Sequence, residues 1–160
     1  MFATLRKMLA ELLEMLRAFV MGRSAQAALF LHAEDALGRD VSPADRAPDE
    51  LGCAESVCML IREIVPFPLI TGTATLDEAL ARDIRFAEHS ESAGPGTIII
   101  SPTGMGNGKI RGHVGIVGRD SKIMANESAS GRWLYGYNLT TWLNYYGGVG
   151  GLPVYFYTLK

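Results

Sequence analysis

Apolar residues recur every three or four positions through much of the first half of the chain, whereas the second half holds short apolar runs separated by turn residues. The first pattern is typical of amphipathic helices that pack one face on a core. Beyond the N-terminal segment, it predicts three helices, over 25–37, 51–65 and 73–86.

Local signals indicate where these helices begin and end. Gly38 stands directly after the first helix, where glycine commonly ends a helix, and Pro66 stops the second. In the third helix, Thr75 and Glu78 have the spacing of a capping box. The buried face of that helix is predicted to carry three apolar residues, Leu76, Leu80 and Ile84.

Four segments of the second half are predicted to be strands because they are rich in β-branched and aromatic residues and are bounded by turn residues. Their sequences are GTIIISP, HVGIVG, KIMANES and LPVYFYTL. The polar segment GRDSK is short enough to join the second and third as a hairpin, and NLTTWLNYYGG is predicted to be a short helix or turn. Helices followed by an antiparallel sheet indicate an α+β fold.

Residues 1–22 carry an amphipathic pattern of their own. Glu11, Glu14 and Arg17 interrupt its apolar residues, so the segment lacks the unbroken core of a signal peptide or a membrane span. We expect a helix that packs on the domain or on a partner chain. Binding at a membrane surface is the alternative, which the mixed charge of its polar face disfavours. Residues 23–160 are then expected to form a single catalytic domain.

Composition and charge exclude some classes of function. Of the 160 residues, 48% are hydrophobic and 20% are charged, and the net charge is −2. The 15 basic residues are scattered along the chain, which argues against nucleic acid as a main partner. Cys53 and Cys58 would diverge around one helix, so they do not indicate a disulfide framework.

The glycine-rich segment TGMGNGK raises the question of a phosphate-binding loop. Gly108 and Lys109 match the end of such a motif, but Thr103 occupies the position of its first glycine. Ile110 stands where a magnesium-binding Ser or Thr is required, and a strand follows where a helix should begin. A nucleotide site is therefore disfavoured, and the segment is predicted to be either a flexible hairpin loop or a wall of a cleft.

Cys53 is the candidate nucleophile. It follows Gly52 at the start of a predicted helix, and it lies on the same helix face as several apolar residues, which are Val57, Leu60, Ile61 and Ile64. Cys58 falls outside that face. The unpaired N–H groups and the dipole of a helix N-terminus favour a thiolate, and the same N–H groups can stabilise an oxyanion. Gly52 would leave room for a substrate to approach.

His113 is the candidate base because it begins a strand directly after the glycine-rich loop, where a strand meets solvent. The next strand returns through the hairpin and ends in MANES. This pairing would bring Asn126 beside His113, where its side chain could fix the imidazole tautomer. Glu127 is the second choice, because a regular strand would direct it to the opposite face.

Two stretches, GCAESV and GHVGIVGRDSKIMAN, resemble the papain-like cell-wall hydrolases, which comprise the NlpC-type peptidases and the CHAP amidases and include many bacteriophage lysins. The resemblance spans about residues 49–157. Two departures are visible: Gly52 replaces the Asp that precedes the NlpC-type cysteine, and Asn126 stands where many members have His. Many CHAP enzymes use Glu near this position, which keeps Glu127 as the alternative.

The resemblance implies a cysteine hydrolase that cleaves peptide or amide bonds, with the stem peptide of peptidoglycan as the substrate. Cys53 would be the nucleophile, His113 the base and Asn126 the orienting residue, with no cofactor and no metal. Gly52, Gly112 and Lys109 are the expected substrate contacts, with Arg111 as an alternative to Lys109.

Other functions and the route to the cell wall stay open at this stage. A cytoplasmic peptidase or acyltransferase with the same Cys–His pair is one alternative, and a non-catalytic binding or assembly module is another. With no signal peptide apparent in the sequence, release to the cell wall would require a phage or a dedicated export route.

Overall fold

The computed structural model describes residues 25–43 and 52–160. The helix expected over 1–22 lies outside these ranges, so that helix and the domain boundary after it stay predictions. The described helices are α1 (25–35), α2 (Cys53–Arg62), α3 (Thr73–Arg82) and α4 (Leu139–Trp142), and α4 leads into a π-helix, Leu143–Val149.

Six strands form one antiparallel sheet in the described part of the chain, in the order β1-β6-β2-β3-β4-β5. Their bounds are β1 Phe86–His89, β2 Ile98–Ser101, β3 His113–Val117, β4 Lys122–Glu127, β5 Arg132–Asn138 and β6 Tyr155–Leu159. All four strands that the sequence predicts are present, and a short 3₁₀ turn, Arg119–Ser121, joins β3 to β4 as the expected hairpin.

The two faces of the sheet are covered by different parts of the chain. Successive side chains of a strand point to opposite faces, and in β2 Ile98 and Ile100 pack in the core with α1, α2 and α3, whereas Ile99 packs on the other side. That second face is covered by the C-terminal part of the chain, including Trp142 and Tyr146. β3 lies in the interior of the sheet, so its first residue is close to both layers.

Helix α2 is buried on almost all sides, which the sequence did not reveal. Its buried residues include Val57 and Ile61 on the predicted face, but also Cys58 and Glu55, both of which have no exposed surface. The expectation that Cys58 would lie outside the buried face is therefore wrong. The reason is that α1, α3 and the sheet all contact this helix, so an amphipathic pattern understates its burial.

The predicted third helix is shorter than its pattern, and the capping box is wrong. Gly72 precedes the first residue of α3 with no side-chain cap, and the chain leaves the helix at Asp83, whose backbone is extended. Ile84 is consequently 87% exposed instead of buried. The Asp83 carboxylate binds the Arg85 side chain, and β1 then begins at Phe86.

Strands β1 and β5 were not predicted from the sequence. β1 is only four residues long, and it lies in a segment dominated by polar residues. β5 contains Gly136 and has several exposed side chains, so it shows no clear alternation. Both are edge strands of the sheet, where one side of the strand needs no partner and the sequence constraint is weakest.

Candidate active site

Cys53 is the first residue of α2, as the sequence predicts. The preceding Gly52 is the N-cap and provides no side-chain cap, so the first-turn N–H groups are not engaged by a capping side chain. The carbonyl of Gly52 accepts the first helical hydrogen bond, from the N–H of Ser56 at 2.9 Å. Because Gly52 is buried and is not among the described residues that line the cavity, its role as a substrate contact stays a prediction.

Cys53 is partly buried, and its thiol lies at the junction of α2 and β3. Burial raises its pKa above the ordinary value, although hydrogen bonds from the backbone N–H groups of Ala54, Val114 and Cys53 itself lower it. The expectation that the helix N-terminus yields a low thiol pKa is therefore wrong for this structure. Desolvation outweighs the helix dipole and the N–H groups, since burial disfavours the charged form.

His113 is the first residue of β3, and it is enclosed by aromatic rings. Its imidazole stacks on Trp142 at 5.4 Å and on Tyr146 at 5.8 Å, and it meets the edge of Tyr137 at 5.9 Å, measured between ring centroids. The side chain retains only 9% of its accessible surface. This burial lowers the pKa of His113 to about 4, so the imidazole is neutral at physiological pH.

A cavity of about 600 Å³ brings the two candidate residues to one site. Its volume is within the range of small-molecule sites. It is lined by sixteen residues from four parts of the chain: Cys53 at the start of α2; Thr71, Gly72 and Thr73 before and in α3; Thr103 and 109–113 from the loop and β3; and Asn126, Glu127, Ser128, Tyr137, Tyr145 and Tyr146 from β4 and the residue after it, β5 and the π-helix. The cavity thus opens where α2 and β3 both begin.

The glycine-rich loop forms one wall of this cavity and is fixed at both ends. Near its N-terminal end Thr103 bonds Thr73, and the Thr103 hydroxyl accepts the N–H of Gly112 at 2.9 Å. A Cβ atom at Gly112 would lie 2.1 Å from the carbonyl oxygen of Ser101, so this close packing requires glycine. The structure therefore favours the cleft-wall interpretation over the flexible hairpin loop.

The middle of the loop is held by the end of the π-helix. Asn107 donates its backbone N–H to the carbonyl of Gly150 and its side-chain amide to the carbonyl of Val149. Asn107 also accepts the N–H of Lys109, and the exposed side chains of Lys109 and Arg111 are thereby set along the cavity wall. Their contact with a substrate stays a prediction.

The third residue of the predicted triad is not decided by the cavity, because Asn126 and Glu127 both line it. The register of β3 and β4 pairs Gly115 with Ala125 and Val117 with Ile123. The paired part of the two strands ends at Gly115 and Ala125, and extending it by two residues would set Glu127 opposite His113. This extension supports Glu127, the second choice from the sequence, and the choice between it and Asn126 stays a prediction.

The two residues also differ in their surroundings. Asn126 is 1% exposed and pairs with Trp133 of β5. Glu127 is exposed at the rim of the cavity, and its carboxylate accepts the hydroxyl of Ser130. Along β4, Asn126 lies on the same face as Met124, which packs in the core with residues of α2.

Three tyrosines of the cavity were not assigned from the sequence. Tyr145 and Tyr146 lie in NLTTWLNYYGG, for which the sequence predicts only a short helix or turn, and Tyr137 lies in β5, which the sequence does not predict. Two other aromatic residues of β5 lie outside the cavity. Trp133 is in the core, where its indole N–H bonds the carbonyl of Ala33, and Tyr135 is on the surface of β5.

Neither a metal-binding cluster nor a membrane-crossing helix is present in the described part of the chain. Among residues 25–43 and 52–160, no cluster of three or more His, Cys, Asp or Glu side chains is arranged to hold a metal ion. No helix within the same ranges combines the length and the apolar character that crossing a membrane requires.

Comparison with known proteins identifies the fold. No protein-family model and no curated protein sequence matches the chain. Among solved structures, the chain is similar to the type VI effector Tae3 from Ralstonia pickettii, known from its effector–immunity complex with Tai3. The TM-score is 0.52 at 15% sequence identity, over 84% of this chain and 98% of that chain. The papain-like α+β fold expected from the sequence is confirmed.

The burial of His113 predicts a dependence of stability on pH. A His side chain in an unfolded chain has a pKa near 6.5. Between pH 6.5 and about pH 4, the imidazole of His113 therefore binds a proton in the unfolded chain but not in the folded one. The buried neutral imidazole therefore does not lower the free energy of unfolding above pH 6.5. As the pH falls from 6.5 toward 4, protonation of the unfolded chain lowers it progressively. We expect a decrease of about 3 kcal/mol in the free energy of unfolding between pH 7 and pH 4 from this group.

Chemical denaturation of the wild type and of His113→Gln at both pH values measures this contribution. Other groups titrate in both proteins, so the difference between the two decreases isolates His113. An equal decrease in the two proteins would contradict the assignment of a buried neutral imidazole.

Proposed function

We propose that the protein is a cysteine hydrolase that cleaves peptide or amide bonds in peptidoglycan, with Cys53 as nucleophile and His113 as general base. The observation that carries the proposal is the shared cavity, in which a cysteine at the first turn of a helix and a histidine at the start of a strand line one space. A nucleophile beside a base is the arrangement that acyl transfer requires.

The electrostatics favour a particular form of this chemistry. Burial raises the pKa of Cys53 and lowers that of His113, so the resting pair is a thiol and a neutral imidazole. Attack on a carbonyl then transfers the thiol proton to His113 as the sulfur–carbon bond forms. The N–H groups at the start of α2 stabilise the oxyanion. His113 next protonates the departing amine, and water releases the acyl group from Cys53.

The cavity wall supports a peptide substrate that carries carboxylates. Lys109 and Arg111 are exposed along the loop that forms this wall, and they supply positive charge at its rim. The stem peptide of peptidoglycan is a substrate of this kind. The similarity to a type VI effector favours a dedicated export route over release by a phage.

Replacing the nucleophile tests the proposal. We expect Cys53→Ala to lower the rate of peptidoglycan cleavage more than about a thousandfold, because no other group in the mechanism can form the acyl-enzyme. Mass spectrometry of the fragments released from purified peptidoglycan measures the cleavage and identifies the bond.

Cys58→Ala is the matched control, since it removes the other thiol, which is buried in α2 and does not line the cavity. It should lose stability and still release the same fragments. Equal release by Cys53→Ala and the wild type would exclude Cys53 as the nucleophile and favour a non-catalytic binding module.

A second pair of variants identifies the residue that orients His113. Extension of the β3–β4 register supports Glu127 as the orienting residue, so we expect Glu127→Ala to lower kcat by about a hundredfold or more. Asn126→Ala should change kcat only a few-fold once the folded fraction has been measured by circular dichroism. The opposite result would assign the role to Asn126 and restore the Cys–His–Asn triad.

A further inference from the structure

Two tyrosine hydroxyls form a hydrogen-bonded pair beside the candidate nucleophile. Tyr146, in the π-helix, donates its hydroxyl to that of Tyr137 in β5, with 3.1 Å between the two oxygens. Both residues line the cavity together with Cys53 and His113. Tyr146 is only 4% exposed, and a buried tyrosine hydroxyl needs a polar partner, which Tyr137 provides here.

The ring of Tyr146 is held rigidly, so its hydroxyl has a defined position. It packs at 4.5 Å from Trp142, 5.0 Å from Tyr145 and 5.8 Å from His113, measured between ring centroids. The π-helix brings Tyr145 and Tyr146 together into the cavity, and such irregular turns are frequent at functional sites. A fixed donor needs little reorganisation when charge develops next to it.

The surroundings of Tyr146 raise the pKa of its hydroxyl. Burial raises the pKa of Tyr146, the hydrogen bond to Tyr137 raises it further, and the charges of Tyr137, Tyr145 and Cys53 add to the rise. Its phenol therefore stays protonated and remains a hydrogen-bond donor throughout the physiological range. Because Cys53 and Tyr146 line the same cavity, a negative charge that forms on a carbonyl attacked by Cys53 develops in the space that Tyr146 borders.

The two hydroxyls have one proton left with which to donate a hydrogen bond into the cavity. Two hydroxyls carry two protons, and the hydrogen bond between them uses one. If both hydroxyls rotate, Tyr146 can donate into the cavity while Tyr137 donates to the oxygen of Tyr146. The pair then acts as a short chain in which the second hydrogen bond strengthens the first.

We propose that Tyr146 is a catalytic residue that donates a hydrogen bond to the oxyanion, and that Tyr137 is the positioning residue that supports it. This inference rests on the proposed function. It supplies the second donor that an oxyanion site needs beside the N–H of Cys53.

The step balances with the groups already named. The sulfur–carbon bond forms as the thiol proton moves to His113, and the electron pair of the carbonyl π bond moves to the oxygen, which accepts hydrogen bonds from Tyr146 and from the first turn of α2. The carbonyl then re-forms, the carbon–nitrogen bond breaks, and His113 returns its proton to the amine. Tyr146 keeps its proton throughout.

Removal of single hydroxyls tests the inference with purified peptidoglycan as the substrate. Tyr146→Phe keeps the ring that packs on His113 and removes the donor, so kcat should fall about a hundredfold with little change in KM. Tyr137→Phe should cause a smaller loss. The double variant should be no more than a few-fold worse than Tyr146→Phe, because Tyr137 acts through Tyr146.

Two controls separate catalysis from structure. Tyr135→Phe removes a hydroxyl from the exposed surface of β5, outside the cavity, and should leave kcat unchanged. The rate of Cys53 alkylation by iodoacetamide should fall only a few-fold in Tyr146→Phe, because this displacement requires a thiolate but forms no oxyanion. A parallel loss of alkylation and cleavage would instead assign Tyr146 a structural role.

The outcomes distinguish this inference from the proposed function. If cleavage depends on Cys53 but Tyr146→Phe retains kcat within about threefold, the oxyanion role is overturned and the hydrolase proposal stands. If Cys53→Ala cleaves as well as the wild type, both fall together.

Discussion

The imidazole of His113 stacks on the rings of Trp142 and Tyr146, and the remaining features of the site depend on this contact. It joins the first residue of β3 to the C-terminal helical segment, and so it connects the sheet to the layer that covers its second face. It removes water from the ring, which keeps the imidazole neutral. The indole N–H of Trp142 in turn bonds the hydroxyl of Ser101, in the neighbouring strand, at 3.1 Å, so the stack is anchored to the sheet.

A buried neutral pair has consequences for the proposed chemistry. A preformed thiolate and imidazolium would be costly here, because each charge would lose solvation that the other only partly replaces. In the proposed mechanism, charge is instead generated as the sulfur attacks, when the helix N-terminus and, by our inference, the Tyr146 hydroxyl can stabilise it. Polar groups fixed before the reaction are effective in such a dry setting. The glycine-rich loop contributes by holding Lys109 and Arg111 at the rim, outside the buried part of the cavity.

The parts of the site that could be predicted from sequence are those with strong local signals. Cys53 could be placed because a glycine precedes it at the start of an apolar helical stripe, and His113 because it follows a loop and begins a buried strand. Tyr137 could not be found, since its strand is an edge strand without alternation. The thiol pKa was predicted in the wrong direction because the helix N-terminus is visible in the sequence, whereas desolvation depends on tertiary packing.

The residue that orients His113 is also hard to identify from the sequence, because the choice between Asn126 and Glu127 depends on strand pairing. A hairpin between β3 and β4 was correctly predicted, but the pairing within it decides which of two adjacent residues faces His113. A change of one residue in register exchanges the faces of Asn126 and Glu127. The 3₁₀ turn at Arg119–Ser121 sets that register, and its left-handed backbone at Asp120 and Ser121 has no glycine to signal it.

The central claim is that Cys53 carries the acyl group during the reaction, and trapping that group tests it most directly. The wild-type protein would be mixed with purified peptidoglycan, quenched in acid within the first turnovers and digested, and the peptide that contains Cys53 and Cys58 would be sequenced by mass spectrometry. We predict a mass increase on Cys53 that equals an acyl fragment of the stem peptide, with Cys58 unmodified. Release of cleaved fragments with no adduct on Cys53 at any quench time, or an adduct on Cys58, would contradict the account.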